Sequence, residues 1–169
     1  MANGHKDYFF DLEISEKMTF VNLDSDTADE VIKVLGKSLE KQGKVQPTYI
    51  DAVIAREEKM PTGILTMAGG VAIPHTDTKY VLQSAIAVGL LESPVNFHNI
   101  ASPTEILQVD LVFLLAIARV ESVTKVLSAL GELLQDKDSL EQLKAMTDPT
   151  EVVQFLSKNL KNFSNRKQS

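Results

Sequence analysis

The sequence predicts an α/β fold: a single layered domain with a mixed parallel and antiparallel sheet flanked by helices on both faces. Three observations carry that expectation. Two early stretches place apolar residues at helical spacing. Two later runs, Ser84 to Glu92 and Val109 to Ala118, are apolar at nearly every position, as strands covered on both faces must be. Three more amphipathic stretches follow them. With 169 residues, 44% hydrophobic and 24% charged, the chain suits one domain with a substantial core.

In chain order, Met1 to Asp7 is polar and expected to be loose. Tyr8 to Leu23 reads as a lead-in with an edge strand at Thr19 to Asn22. Ser25 or Asp26 caps a helix to about Gln42, with Val31, Val34, Leu35 and Leu39 as its core stripe and Gly43 after its end. Pro47 or Thr48 opens a second helix through Glu58. Pro61-Thr62-Gly63 turns the chain, Ile64 to Met67 forms a brief strand, and Val71 to Ile73 forms another. Val95 and Phe97 alternate after Pro94, in a short strand or bend, and Ala101 to Pro103 is a loop. Ser122 caps a helix to Leu134, Asp138 or Ser139 starts one to about Met146, and Asp148-Pro149 begins the last. The domain spans 1–169 with its core at about 20–156, and the tail from Lys161 to Ser169 is expected to fray.

Chemistry concentrates between Arg56 and Thr78. Pro74 has no N–H with which to continue a central ladder, so His75 stands where a strand leaves the sheet. Gly69-Gly70 permits φ > 0 or a close backbone approach, so main-chain amides around Met67 to Gly70 could gather on an anion. Arg56 offers a forked guanidinium suited to phosphate; it could equally serve the helix C-terminus or pair with Glu57 or Glu58. Asp77 is either a partner for the imidazole N–H or a turn residue bonded to its own backbone.

The order Arg56-Glu57, Pro61-Thr62-Gly63-Ile64 and Ala72-Ile73-Pro74-His75 resembles the EIIA domains of the phosphoenolpyruvate-dependent sugar phosphotransferase system (PTS), fructose/mannitol/galactitol type. The Pro-Thr-Gly turn is most like galactitol-type members. The resemblance covers roughly Phe20 to Leu156. It implies that His75 accepts a phosphoryl group from HPr at Nε2 and passes it to a cysteine of a IIB component, with the membrane IIC involved only indirectly. It implies that Arg56 lies beside that histidine. The chemistry of phosphoryl transfer then makes Arg56 the candidate for stabilising the phosphate charge, with Gly69, Gly70, Asp77 and Glu57 as candidates for phosphate or tautomer support, and makes no metal or cofactor indispensable. Mannitol-type and several fructose-type members carry a second histidine early in the helix after the long central strand. Val123 stands at that position here, leaving Glu121 or Ser122 as possible polar substitutes.

Several other functions fit poorly. A formal net charge of −6 disfavours nucleic acid, which needs a basic face. With Cys 0 the chain has no thiol nucleophile, so the cysteine step of a relay must come from a partner. There is no Gly-x-Ser-x-Gly elbow and no HExxH, which disfavours an ordinary hydrolase. The opening MANGHKDYFF lacks a secretory core, and Leu111 to Ala118 falls far short of the roughly 20 apolar residues of a membrane span. A cytoplasmic protein without membrane insertion is expected. His98 and His5 read as surface residues without a role. A regulatory module of the nitrogen-related PTS, with the same histidine and different protein partners, is the alternative function.

Overall fold

The two apolar runs form the centre of a six-stranded sheet in the computed structural model, which describes residues 4–166. They are β5 (Ala85–His98) and β6 (Ile106–Ala116), paired antiparallel. Outside them lie β2 (Leu12–Leu23), parallel to β5, and β4 (Gly69–Ala72), parallel to β6. The short antiparallel strands β1 (Lys6–Phe9) and β3 (Gly63–Thr66) close the edges, giving the order β1-β2-β5-β6-β4-β3.

Successive strand residues point to opposite faces, so a strand without polar positions needs two covers. Ile86, Val88 and Leu90 of β5, with Leu111, Phe113 and Leu115 of β6, are buried in one core with α3 (Val120–Leu134), α4 (Lys137–Lys144) and α5 (Pro149–Arg166). Ala85 and Ala87, with Val112, Leu114 and Ala116, are buried in a second core with α1 (Ala28–Lys41) and α2 (Tyr49–Lys59). Tyr49 ties α2 to the sheet: its buried hydroxyl donates to the Leu115 carbonyl at 2.6 Å.

Several boundaries differ from the sequence reading. Thr19 to Asn22 belongs to the longer β2, and the true edge is β1. Lys6 and Asp7 are ordered within that edge, because Asp7 accepts bonds from Ser157 Oγ at 2.7 Å and Lys161 Nζ at 3.3 Å. Met1 to Asn3 and residues 167–169 lie outside the described residues. The helix expected to fray from Lys161 continues to Arg166. Thr27, and not Ser25 or Asp26, caps α1 by accepting the Glu30 N–H at 3.2 Å. Val120 begins α3 with no side-chain cap, two residues ahead of Ser122. β5 runs through Pro94, taking a register shift between Leu90 and Val95 that relieves the missing N–H.

The glycine pair has a packing explanation. β3 and β4 form a hairpin over Met67-Ala68, and Gly69 leaves it at φ 105°. Gly70 then crosses so close to β6 that a Cβ would stand 2.2 Å from the Gln108 carbonyl oxygen. Gly70→Ala is therefore expected to cost about 3 kcal/mol or more. At this chain length that lowers the melting temperature by roughly 10 °C, which calorimetry would register.

Candidate functional site

Pro74 ends the β4 ladder but keeps a tie to the sheet, since its carbonyl accepts the Leu115 N–H at 3.0 Å. His75 follows, half-buried, and Asp77 then caps a 3-10 turn at Thr78–Tyr80 by accepting the Lys79 N–H at 3.0 Å. His75 Nδ1 lies 2.8 Å from the Ile73 carbonyl oxygen. A carbonyl only accepts, so Nδ1 carries the proton and Nε2 keeps its lone pair. The tautomer is set by the backbone, and Asp77 is a turn residue.

His75 lines a depression of about 210 Å³ with Arg56, Thr76, Asp77, Leu115, Val120 and Val123 among its walls. Arg56 arrives from the last turn of α2, and its Nε is buried without a hydrogen-bond partner among the described residues. A buried guanidinium N–H without an acceptor beside an imidazole is suited to a visiting oxyanion.

Glu57, the next residue, faces away from this chemistry. Its Oε1 accepts the Thr62 N–H and its Oε2 accepts the Thr62 hydroxyl, both at 2.9 Å. Thr62 in turn offers its carbonyl to the Ile73 N–H at 3.4 Å, one residue pair before His75. The carboxylate thus joins the helix end that carries Arg56 to the strand end that carries His75. Burial pushes its pKa up, while the two Thr62 bonds hold it down. Glu57→Ala strands a buried N–H and hydroxyl and is expected to cost about 2–3 kcal/mol. Glu57→Gln keeps an acceptor for the N–H and is expected to lose less than half of that in urea denaturation.

Burial pushes the His75 pKa below its ordinary 6.5; the Ile73 bond opposes this and the Arg56 charge adds to it. Nε2 therefore stays unprotonated to lower pH than in a free imidazole. A reaction that uses this lone pair is expected to hold its rate as pH falls through 6.5 and to decline only lower, along the titration of His75 Cε1–H followed by NMR. The unfolded chain binds this proton first, so the stability contributed by neutral His75 is complete above 6.5 and lost as pH falls toward the folded pKa.

The fold thus brings together His75, Arg56 and Asp77, and sets Glu57 behind them as a brace. It does not bring Gly69 and Gly70 there. They precede His75 by six and five residues of extended chain, and five residues of strand span about 16 Å. The Thr66 hydroxyl takes up the turn itself, accepting the Ala68 N–H at 3.1 Å and donating to the Gly69 carbonyl at 2.6 Å. The phosphate cradle expected of this pair is corrected to a hairpin exit. Sequence reasoning missed Val120, 72% exposed at the rim, and Thr62, the residue that Glu57 grips. An apolar residue left exposed at a helix start gives no periodic signal.

Residues 13–159 match the family described as "Phosphoenolpyruvate-dependent sugar phosphotransferase system, EIIA 2". The chain belongs to this EIIA family. The galactitol-specific EIIA component of Escherichia coli K12 is 30% identical over 129 residues, covering 76% of this chain and 85% of its own. The transcriptional regulator ManR of Bacillus subtilis is 29% identical over 140 residues, 83% of this chain and 20% of the regulator. This chain thus spans about a fifth of the length of that relative. Among solved structures, the complex of enzyme IIAMTL with phosphorylated enzyme IIBMTL from Escherichia coli has a chain of the same fold. Its TM-score is 0.66 at 25% identity, covering 86% of this chain and 95% of that one.

The EIIA domain described here has Val123 in the wall of its depression, at the position where mannitol-type members are expected to carry a second histidine. Neither proposed substitute reaches in. Glu121 is exposed and accepts a bond from Arg119 Nε at 3.0 Å, and Ser122 is buried outside the lining. In this EIIA domain the depression holds one imidazole, walled by Leu115, Ile117, Val120 and Val123. Among the described residues, no helix is long and apolar enough to cross a membrane.

Proposed function

We propose that His75 is the phosphoryl carrier of a sugar PTS, loaded by phospho-HPr and unloaded onto a cysteine of a IIB component. The observation that carries this reading is the Nδ1–H bond to Ile73, which leaves the Nε2 lone pair available beside an unpartnered guanidinium. In the loading step Nε2 attacks phosphorus in line; the new N–P bond forms as the donor's N–P bond breaks, and the donor imidazole leaves with its electron pair. In the unloading step a thiolate takes the group, forming S–P as Nε2–P breaks. The thiolate belongs to the partner, since this chain has Cys 0. Arg56 supplies charge to the equatorial oxygens, and apolar walls keep water from the phosphorus while a partner is docked. The exposed Val120 offers such a partner an apolar contact. The likeness to a galactitol-specific component supports a sugar alcohol as cargo of the whole system, and a relay with HPr and a IIB component would run in the cytoplasm.

The test is incubation with phosphoenolpyruvate, enzyme I and HPr, followed by peptide mapping. An acid-labile, alkali-stable phosphoramidate on the peptide containing His75 supports the assignment; the same label on His98 overturns it. Onward transfer to a IIB cysteine separates a transport carrier from a regulatory phosphoprotein of the nitrogen-related kind, which keeps its label.

A further inference from the structure

A second concave surface lies well away from His75 in the sheet. It is a cleft of about 710 Å³ between α1 and β2, lined by Lys17, Phe20, Lys33, Val34, Lys37 and Lys41, with Ser38 and Gln42. β2 is three strand positions from β4, a separation of about 14 Å across the sheet. In a chain of net charge −6, four lysines around one cleft are a local reversal of sign. None of the four ammonium groups makes a hydrogen bond or ion pair among the described residues, whose ion pairs use Lys44, Arg119, Lys137, Lys144 and Lys161.

The charges on α1 are partly sorted. Lys33, Lys37 and Lys41 recur every four residues and, at 3.6 residues per turn, step progressively toward Val34 and the cleft. Asp29 and Glu40 lie beyond Lys33, on the shoulder away from Val34, whereas Glu30 falls within the lysine stripe at the start of the helix, where its carboxylate accepts the Asp26 N–H at 3.0 Å. Lysine stems pad the walls while the ammonium groups stay at the rim, and Phe20 and Val34 supply an apolar floor.

From this we infer that the α1–β2 cleft is a docking site for an acidic amphipathic helix of a partner protein. The occupant must be apolar along its centre and anionic on both shoulders, because Lys17 stands on the strand wall and the other three on the helix wall. The three helix lysines span about 12 Å, which matches carboxylates repeated every fourth residue on a facing helix. A single small anion cannot reach ammonium groups spread over that length. A flat anionic bilayer would meet the rim without filling the floor, and the remaining surface of this acidic chain would be repelled by it. Because the cleft is separate from the His75 depression, a partner could occupy it while the phosphoryl group is loaded or delivered.

The test uses the full 15N-labelled chain and a synthetic peptide of about 18 residues, long enough to form a helix. It carries a leucine stripe flanked by glutamates. The expected result is saturable shifts of the amides of Lys17, Phe20 and residues 33–42, with His75 unmoved. Binding should weaken at least about tenfold in the double variant Lys33→Glu/Lys37→Glu, both surface positions, and similarly at about 0.5 M salt. A peptide with lysines in place of the glutamates should not bind. The inference is overturned by equal binding of that control, by shifts centred on Arg56 and His75, or by no saturable binding. Preferential binding to phosphatidylserine vesicles over the acidic peptide also overturns it. None of these outcomes depends on whether His75 accepts phosphate.

Discussion

His75→Ala is expected to leave the protein folded and unable to take up phosphate, with labelling from phosphoenolpyruvate, enzyme I and HPr falling to background. The side chain is half-buried and makes one hydrogen bond among the described residues, to the Ile73 carbonyl, so its removal should move the melting temperature by only a few degrees. The other histidines cannot take over. His98 is exposed and fastened through Nδ1 to the Pro103 carbonyl at 2.8 Å, and neither it nor His5 lines the depression that holds Arg56. His75→Gln makes the sharper control, because it keeps a polar side chain of similar reach without a phosphoryl-accepting ring nitrogen. Radiolabel retained by either folded variant would remove His75 from the relay.

Arg56→Ala is expected to slow transfer about 100- to 1,000-fold, the usual effect of deleting one fixed donor to a developing oxyanion. The loss should appear in both loading and unloading, since the same equatorial oxygens are stabilised in each direction. Stability should change little. Arg56 sits in the last turn of α2, where a cation contributes about 0.3–1 kcal/mol against the helix dipole. Arg56→Lys should recover part of the rate, because a point charge remains while the fork of donors is lost. Rapid-quench measurements on folded variants decide the matter: an unchanged rate for Arg56→Ala would leave the guanidinium as a helix-end cation only. The Glu57→Ala variant adds a geometric comparison, because it retains both reacting groups and removes the brace between them.

Much of the site was legible because its residues are consecutive or nearly so. Pro74 must interrupt the ladder wherever it lies, so His75 at a strand exit could be deduced from two adjacent letters. The same local logic placed Asp77 as a turn residue among its alternatives, and the Lys79 N–H bond agrees. It misled at Gly69-Gly70, where the demand for a residue without Cβ was real and its cause was not. The contact that requires glycine is with Gln108, nearly forty positions away in the chain, and no local pattern announces it. Likewise Pro94 suggested a break in β5, but the bulge that accommodates it depends on the register against β6. The amino-terminal arm looked loose because its ordering partners, Ser157 and Lys161, lie at the other end of the chain.

What the sequence by itself determined is what depends on periodicity and on neighbours: the two doubly buried strands, five amphipathic helices, one domain's worth of core, and an imidazole placed just after a strand. These follow from side-chain direction and from the missing proline N–H, which act over a few residues. Only the tertiary structure decided that Ile73 takes the Nδ1 proton, that Glu57 braces Thr62, and that valines wall the side where a second histidine could stand. It also gathered Lys17 with the lysines of α1. Those arrangements arise from the crossing of strands and helices remote in sequence, and hydrogen bonds a few ångströms long have no counterpart in spacing along the chain.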